Sequence, residues 1–138
     1  MADMKVDVNW KGNLQFDAHT ESGHTVTMDT SKENGGDDQG ATPMEMLLNG
    51  VAGCTGIDVV LILEKMNQEL DDLKIEIEGN RADDYPQRYT DIHLKFTLKG
   101  NNLDPKKVER AIDLSEGKYC SASNSLNAEI TTEYEIVE

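Results

Sequence analysis

Two cysteines, Cys54 and Cys120, are the residues of this 138-residue chain whose type best suits redox chemistry. Cys54 ends an apolar, glycine-punctuated run, Thr42-Pro43-Met44-Glu45-Met46-Leu47-Leu48-Asn49-Gly50-Val51-Ala52-Gly53-Cys54. Cys120 lies in Glu116-Gly117-Lys118-Tyr119-Cys120-Ser121-Ala122-Ser123. They are far apart in sequence, so only the fold can bring them together. Two thiols that meet can do two-electron chemistry: one attacks as thiolate and the other resolves the product as a disulfide. Taken singly, each has a plainer reading, because free cysteine is among the most buried residue types.

The elements that must position these thiols are readable from pattern. Residues 4–10, 14–18 and 25–28 alternate in polarity and predict three strands, with Gly12-Asn13 and Glu21-Ser22-Gly23 as turns. Residues 33–40 are a polar loop. Thr42 opens a helix as its N-cap, Pro43 is the first helical residue and Glu45 completes a capping box. The helix is expected to run to about Met66 or Glu69, apolar on most sides and buried at the centre of the fold. Gly50, Gly53 and Gly56 each weaken it by about 1 kcal/mol relative to Ala, which predicts close approach of another backbone near Cys54. Residues 73–78 and 89–98 read as strands, and Asp104-Pro105 caps a second helix burying Val108, Ala111, Ile112 and Leu114. A Ser-rich turn follows Cys120, and residues 128–137 close the chain as a strand. The order is β-β-β-α-β-β-α-β, an α+β pattern in a single domain spanning residues 1–138.

Composition narrows the function. The net charge of −14 repels nucleic acid and anionic membrane surfaces, and solubility or a salty cytosol accounts for it. No N-terminal targeting segment is visible, so the cytoplasm is the expected compartment, where a cysteine pair is more often catalytic than a structural staple. Residues 44–63 come nearest to a membrane span but carry Glu45, Asn49 and Asp58, so no span is expected. His19, His24 and His93 are scattered and show no ligand spacing, so no metal is expected. Gly35-Gly36-Asp37-Asp38 lacks the lysine of a phosphate loop. Asp58, four residues after Cys54, reads as structural or interfacial. Met44, Met46 and Met66 read as core, and Trp10 as core or dimer interface.

The segments around Cys54 and Cys120, with the element order, resemble the OsmC/Ohr family of osmotically induced and organic-hydroperoxide-resistance proteins. The shared pattern is a proline and an acidic residue before an apolar stretch, then Val51-Ala52-Gly53-Cys54, and far downstream Tyr119-Cys120-Ser121-Ala122-Ser123. The resemblance covers nearly the whole chain. It implies an intertwined homodimer with two active sites at the subunit interface and a thiol peroxidase activity on organic hydroperoxides, in oxidative or osmotic stress defence. It implies that Cys54 attacks the peroxide and becomes a sulfenic acid, that Cys120 condenses with it to a disulfide, and that an external dithiol restores both. It implies no metal or organic cofactor.

Two features depart from the pattern. The resemblance implies an N-terminal arginine held by a glutamate directly after the proline. Met44 holds that glutamate position here, Glu45 follows one residue later, and no arginine precedes Arg81. Glu45 is therefore an orienting carboxylate candidate as well as a cap, and Lys5, Lys11, Lys32 or Arg88 is left to supply a cation. These departures point to the OsmC-like branch of the family. The alternative is a non-catalytic dimer of the same fold that binds a small apolar ligand or senses redox state.

Overall fold

The computed structural model describes residues 3–138. The described residues divide into two compact units, the first ending at Leu47 and the second running Leu48–Glu138. In the first, β1 (Val6–Trp10), β2 (Phe16–Thr20) and β3 (Thr25–Met28) form an antiparallel meander in the order β1-β2-β3. Val8 faces Ala18 across one ladder and Ala18 faces Val26 across the next. The first turn uses positive φ at Gly12 and Asn13, a conformation that glycine and asparagine adopt most readily. Trp10 is 66% exposed, so it is not a core residue of this chain; its indole N–H donates to the Asn13 carbonyl.

The polar loop after β3 is organised by one buried carboxylate. Asp29 accepts hydrogen bonds from the backbone N–H groups of Thr30, Asp37 and Gln39. The Thr30 N–H holds its carboxyl below the usual carboxylate range; burial opposes this, and the Gln39 and Asp37 amides reinforce it. A depressed folded-state pKa stabilises the fold above the ordinary aspartate range, and that contribution disappears as pH falls through the folded value. Asp29→Asn should therefore loosen the loop at neutral pH and remove part of its acid sensitivity. Amide exchange at Asp37 and Gln39 should rise about tenfold or more. Unchanged exchange would show that the loop is held by other contacts.

The helix α1 (Pro43–Lys65) begins as expected. The Thr42 N–H donates to Glu45 Oε1 at 2.9 Å and the Glu45 N–H to Thr42 Oγ1 at 3.2 Å, a closed capping box. The helix ends at Lys65, just short of the expected end, and Asn67 then takes a positive φ. By length and composition alone α1 is apolar enough to cross a membrane, despite Glu45, Asn49 and Asp58. Two of its polar side chains, Thr55 and Asp58, are nevertheless tied by hydrogen bonds to residues 115–116, contacts within a protein interior and not with lipid.

In the second unit β4 (Leu70–Arg81), β5 (Tyr89–Gly100) and β6 (Glu129–Val137) form a sheet in the order β4-β5-β6. The β4–β5 hairpin is antiparallel, and β5–β6 is parallel with Ile92 opposite Ile130 and Phe96 opposite Tyr134. The central strand β5 buries Ile92, Leu94, Phe96 and Leu98 on one face, as strict alternation requires. Against the core lie Val51, Val59 and Leu63 of α1, and Val108, Ala111 and Ile112 of α2 (Pro105–Leu114). Asp104 caps α2 by accepting the Lys106 N–H, as the sequence predicts.

Only the stripe Val51, Thr55, Val59 and Leu63 of α1 is fully buried, the i, i+4 face of the helix. Ile57, Val60 and Leu61 on the other side are exposed, Ile57 by 64%. The glycine expectation needs correcting. A Cβ added at Gly50 or Gly53 would meet nothing in the chain, and at Gly56 it would meet the Ile75 side chain at 3.2 Å. Among the described residues no backbone packs on those glycines, because the face that carries them looks outward.

Candidate active site

Cys54 and Thr55 are neighbours on α1, and Asp58 follows Cys54 by one helical turn. Across from them the chain leaves α2 through a π-helical turn (Ser115–Tyr119) and enters the four-residue helix α3 (Ser121–Asn124). The wide turn places Ser115, Glu116 and Cys120 toward α1. Cys120 is the N-cap of α3, and its sulfur takes the capping role by accepting the Ser123 N–H at 3.4 Å.

The fold brings Cys54 and Cys120 together. Their sulfurs and a carboxylate oxygen of Asp58 all lie within 4.8 Å of one another. Both thiols are free; Cys120 is fully buried and Cys54 half-buried. Hydroxyls surround the deeper sulfur. Ser123 Oγ donates to Cys120 Sγ at 3.0 Å, and Thr55 Oγ1 stands 3.2 Å from it. Thr55 Oγ1 is also 2.8 Å from Glu116 Oε1. The single Thr55 proton can point at either the carboxylate or the sulfur, so the hydroxyl links the two. Ser115, also fully buried, donates from Oγ to Asp58 Oδ2 at 3.0 Å.

The chain matches the family model described as "OsmC-like protein" over residues 35–135. It belongs to the OsmC-like family. It is similar to Protein YhfA of Escherichia coli K12, with 39% identity over 97% of this chain and 98% of the relative. A crystal structure of a hypothetical protein from Aquifex aeolicus VF5 is 32% identical, covers all of both chains and superposes with a TM-score of 0.81. The fold alone is shared with the organic hydroperoxide resistance protein OhrB of Bacillus subtilis, at 18% identity, 97% and 98% coverage and a TM-score of 0.65.

Within this OsmC-like site the electrostatics of Cys54 are contested. The backbone N–H of Ala122 draws its pKa down most strongly, aided by the Ser121 N–H. Burial and the adjacent Cys120 thiol push it up, and together they prevail, leaving Cys54 above the ordinary thiol range. The contacts that hold the pair are hydroxyls, amides and carboxylates. Arg88, a candidate cation, donates from Nη1 to the carbonyls of Tyr89 and Asn127, tying the start of β5 to the segment before β6. Glu45 is exposed and its carboxylate closes the cap of α1.

Sequence reasoning named both cysteines but not Thr55, Ser115, Glu116 or Ser123 as their neighbours. Thr55 had a weak signal, a polar residue on the same helical stripe as Val51, Val59 and Leu63. Ser115 and Glu116 had none, because their placement depends on the π-helical turn.

Proposed function

We propose that this OsmC-like protein is a thiol-dependent peroxidase that reduces organic hydroperoxides through Cys54 and Cys120. It would work as a cytoplasmic homodimer in oxidative or osmotic stress defence. The observation that carries the reading is the meeting of two free sulfurs from opposite ends of the second unit. Burial supports a division of roles. Cys54, the less buried thiol, would attack; Cys120, fully enclosed, would resolve.

In the first step the Cys54 sulfur attacks the terminal peroxide oxygen. The O–O bond breaks, an alcohol leaves with the thiol proton, and Cys54 becomes a sulfenic acid. In the second, the Cys120 sulfur attacks that of Cys54, the S–S bond forms and water leaves. The two thiols supply the two electrons, and an external dithiol returns them by exchange. The amides of Ala122 and Ser121, aimed at Cys54, favour its thiolate. Glu45 contributes by fixing the start of the helix that carries Cys54. The shared fold with a protein named for organic hydroperoxide resistance supports the substrate class. The exposed Ile57, Val60 and Leu61 support a second copy as the cover of α1.

One observation favours the alternative of a ligand-binding or redox-sensing dimer. The raised Cys54 pKa makes a slow nucleophile, and a hollow of about 500 Å³ runs along Gly53, Gly56, Ile57, Val60, Leu73 and Ile75 on the same helix and β4. The deciding experiment treats the reduced protein with one equivalent of cumene hydroperoxide and, separately, hydrogen peroxide, then maps thiols by mass spectrometry. The expected result is an intramolecular Cys54–Cys120 disulfide, faster with the organic peroxide, in a particle of twice the chain mass. Two free thiols surviving both oxidants would leave the ligand-binding dimer in front.

A further inference from the structure

The same two sulfurs are accompanied by a group that a two-thiol peroxidase does not require. Asp58 presents a carboxylate oxygen within 4.8 Å of both. We propose that reduced Cys54, Cys120 and Asp58 form a binding site for a thiophilic divalent cation, with Zn²⁺ as the ion that fits. The sequence reading expected no metal because it looked for histidine spacing. The fold builds the ligand set from cysteine and aspartate, on one turn of α1 and at the N-cap of α3.

The donor chemistry selects the ion. Two thiolates and one carboxylate suit zinc, which takes sulfur at about 2.3 Å and oxygen at about 2.0–2.2 Å in a tetrahedron. Three ligands that close require only a modest contraction of atoms already within 4.8 Å. The soft sulfurs disfavour Mg²⁺ and Ca²⁺, which prefer all-oxygen shells. Three protein ligands leave the fourth position for water, the arrangement of an open site.

The surroundings already orient the ligands. Ser115 Oγ donates to Asp58 Oδ2 and so holds the carboxylate that has an oxygen within 4.8 Å of both sulfurs. Ser123 donates to Cys120 Sγ through both its N–H and its hydroxyl, fixing the sulfur in place. Cys54 and Asp58 are half-buried, so an ion can enter from their side while Cys120 closes the floor. The carboxylate of Glu116 is one hydroxyl away, through Thr55, and adds negative potential.

The site uses the thiols of the proposed peroxidase but does not depend on that activity. A Cys54–Cys120 disulfide removes two of the three ligands, so metal and disulfide exclude each other. The test titrates Zn²⁺ into the full chain, reduced, against a chromophoric chelator, and repeats the titration with Co²⁺ as an optical probe. One ion per chain, a sulfur-to-cobalt charge-transfer band and tetrahedral visible bands are expected. Asp58→Asn should weaken zinc by at least about tenfold, Cys54→Ser should abolish the charge-transfer signature of a two-sulfur site, and the disulfide form should bind no ion. Cobalt bound without a sulfur band, zinc held equally by wild type and Asp58→Asn, or zinc retained by the disulfide form would each overturn the site. Disulfide formation with no zinc bound also overturns it, yet leaves the peroxidase reading standing; tight zinc binding by a peroxide-inert protein does the reverse.

Discussion

Replacing Cys54 by serine should lower hydroperoxide reduction by about a thousandfold or more, whereas Cys120→Ser should allow one oxidation and then stop. A serine hydroxyl in the Cys54 position is neither ionised near neutral pH nor polarisable enough to attack a peroxide oxygen. Without Cys120 the sulfenic acid on Cys54 has no partner within reach, so it should accumulate and be trapped by a dimedone-type reagent. The pH profile of the first oxidation, measured with a chelator present, follows from the environment of Cys54. The Ala122 amide draws its pKa down, but burial and the Cys120 thiol leave it raised. The reactive thiolate forms above the pKa, so the rate should climb about tenfold per pH unit from neutral pH upward until the pKa is passed. A rate that stays level between about pH 6 and pH 8 would mean a depressed pKa, and would require a cation in addition to the hydroxyls, amides and carboxylates that touch the pair.

The sequence carried most of the fold because its strongest signals are local. The capping box at Thr42 and Glu45 is satisfied by contacts three residues apart, and the alternation in residues 73–78 and 89–98 marks one face of each strand. Both strands run longer than expected. Leu70–Arg81 continues past the alternating stretch because its hairpin partner Tyr89–Gly100 supplies hydrogen bonds there, with irregularities at Leu70/Asp72 and Asn80/Arg81. The parallel β5–β6 pairing was not legible, since nothing in residues 128–137 records which neighbour they join. The glycines near Cys54 were misread for a related reason. Gly50 and Gly53 signal that no side chain belongs there, but not whether the space is filled by this chain. At the site, the thiols were conspicuous by residue type. Asp58 was noticed for its spacing from Cys54 and set aside, because its effect depends on where Cys120 lies. Glu116 carried no signal, because only the π-helical turn brings it to Thr55.

Thr55 is where these separate elements are joined, and its hydroxyl should have a measurable effect out of proportion to its size. It is fully buried, lies 2.8 Å from the half-buried Glu116 carboxylate and 3.2 Å from the Cys120 sulfur. Thr55→Val keeps the shape and removes only the polar hydrogen and its oxygen. Glu116 then loses a charge-assisted donor in a partly desolvated place, so the variant should be less stable by about 1–3 kcal/mol in urea denaturation of the reduced protein. The cost comes from stranding the acceptor, so it should shrink when the acceptor is removed as well. In a Glu116→Ala background, Thr55→Val should cost less than about 1 kcal/mol, giving a coupling between the two positions of about 1 kcal/mol or more. Strict additivity would mean that Thr55 is an interchangeable core residue and that the hydroxyl does not hold the carboxylate. Coupling would establish that the π-helical turn is latched to α1 through Thr55, so that the hydroxyl fixing Glu116 also sets the position of the Cys120 sulfur beside Cys54.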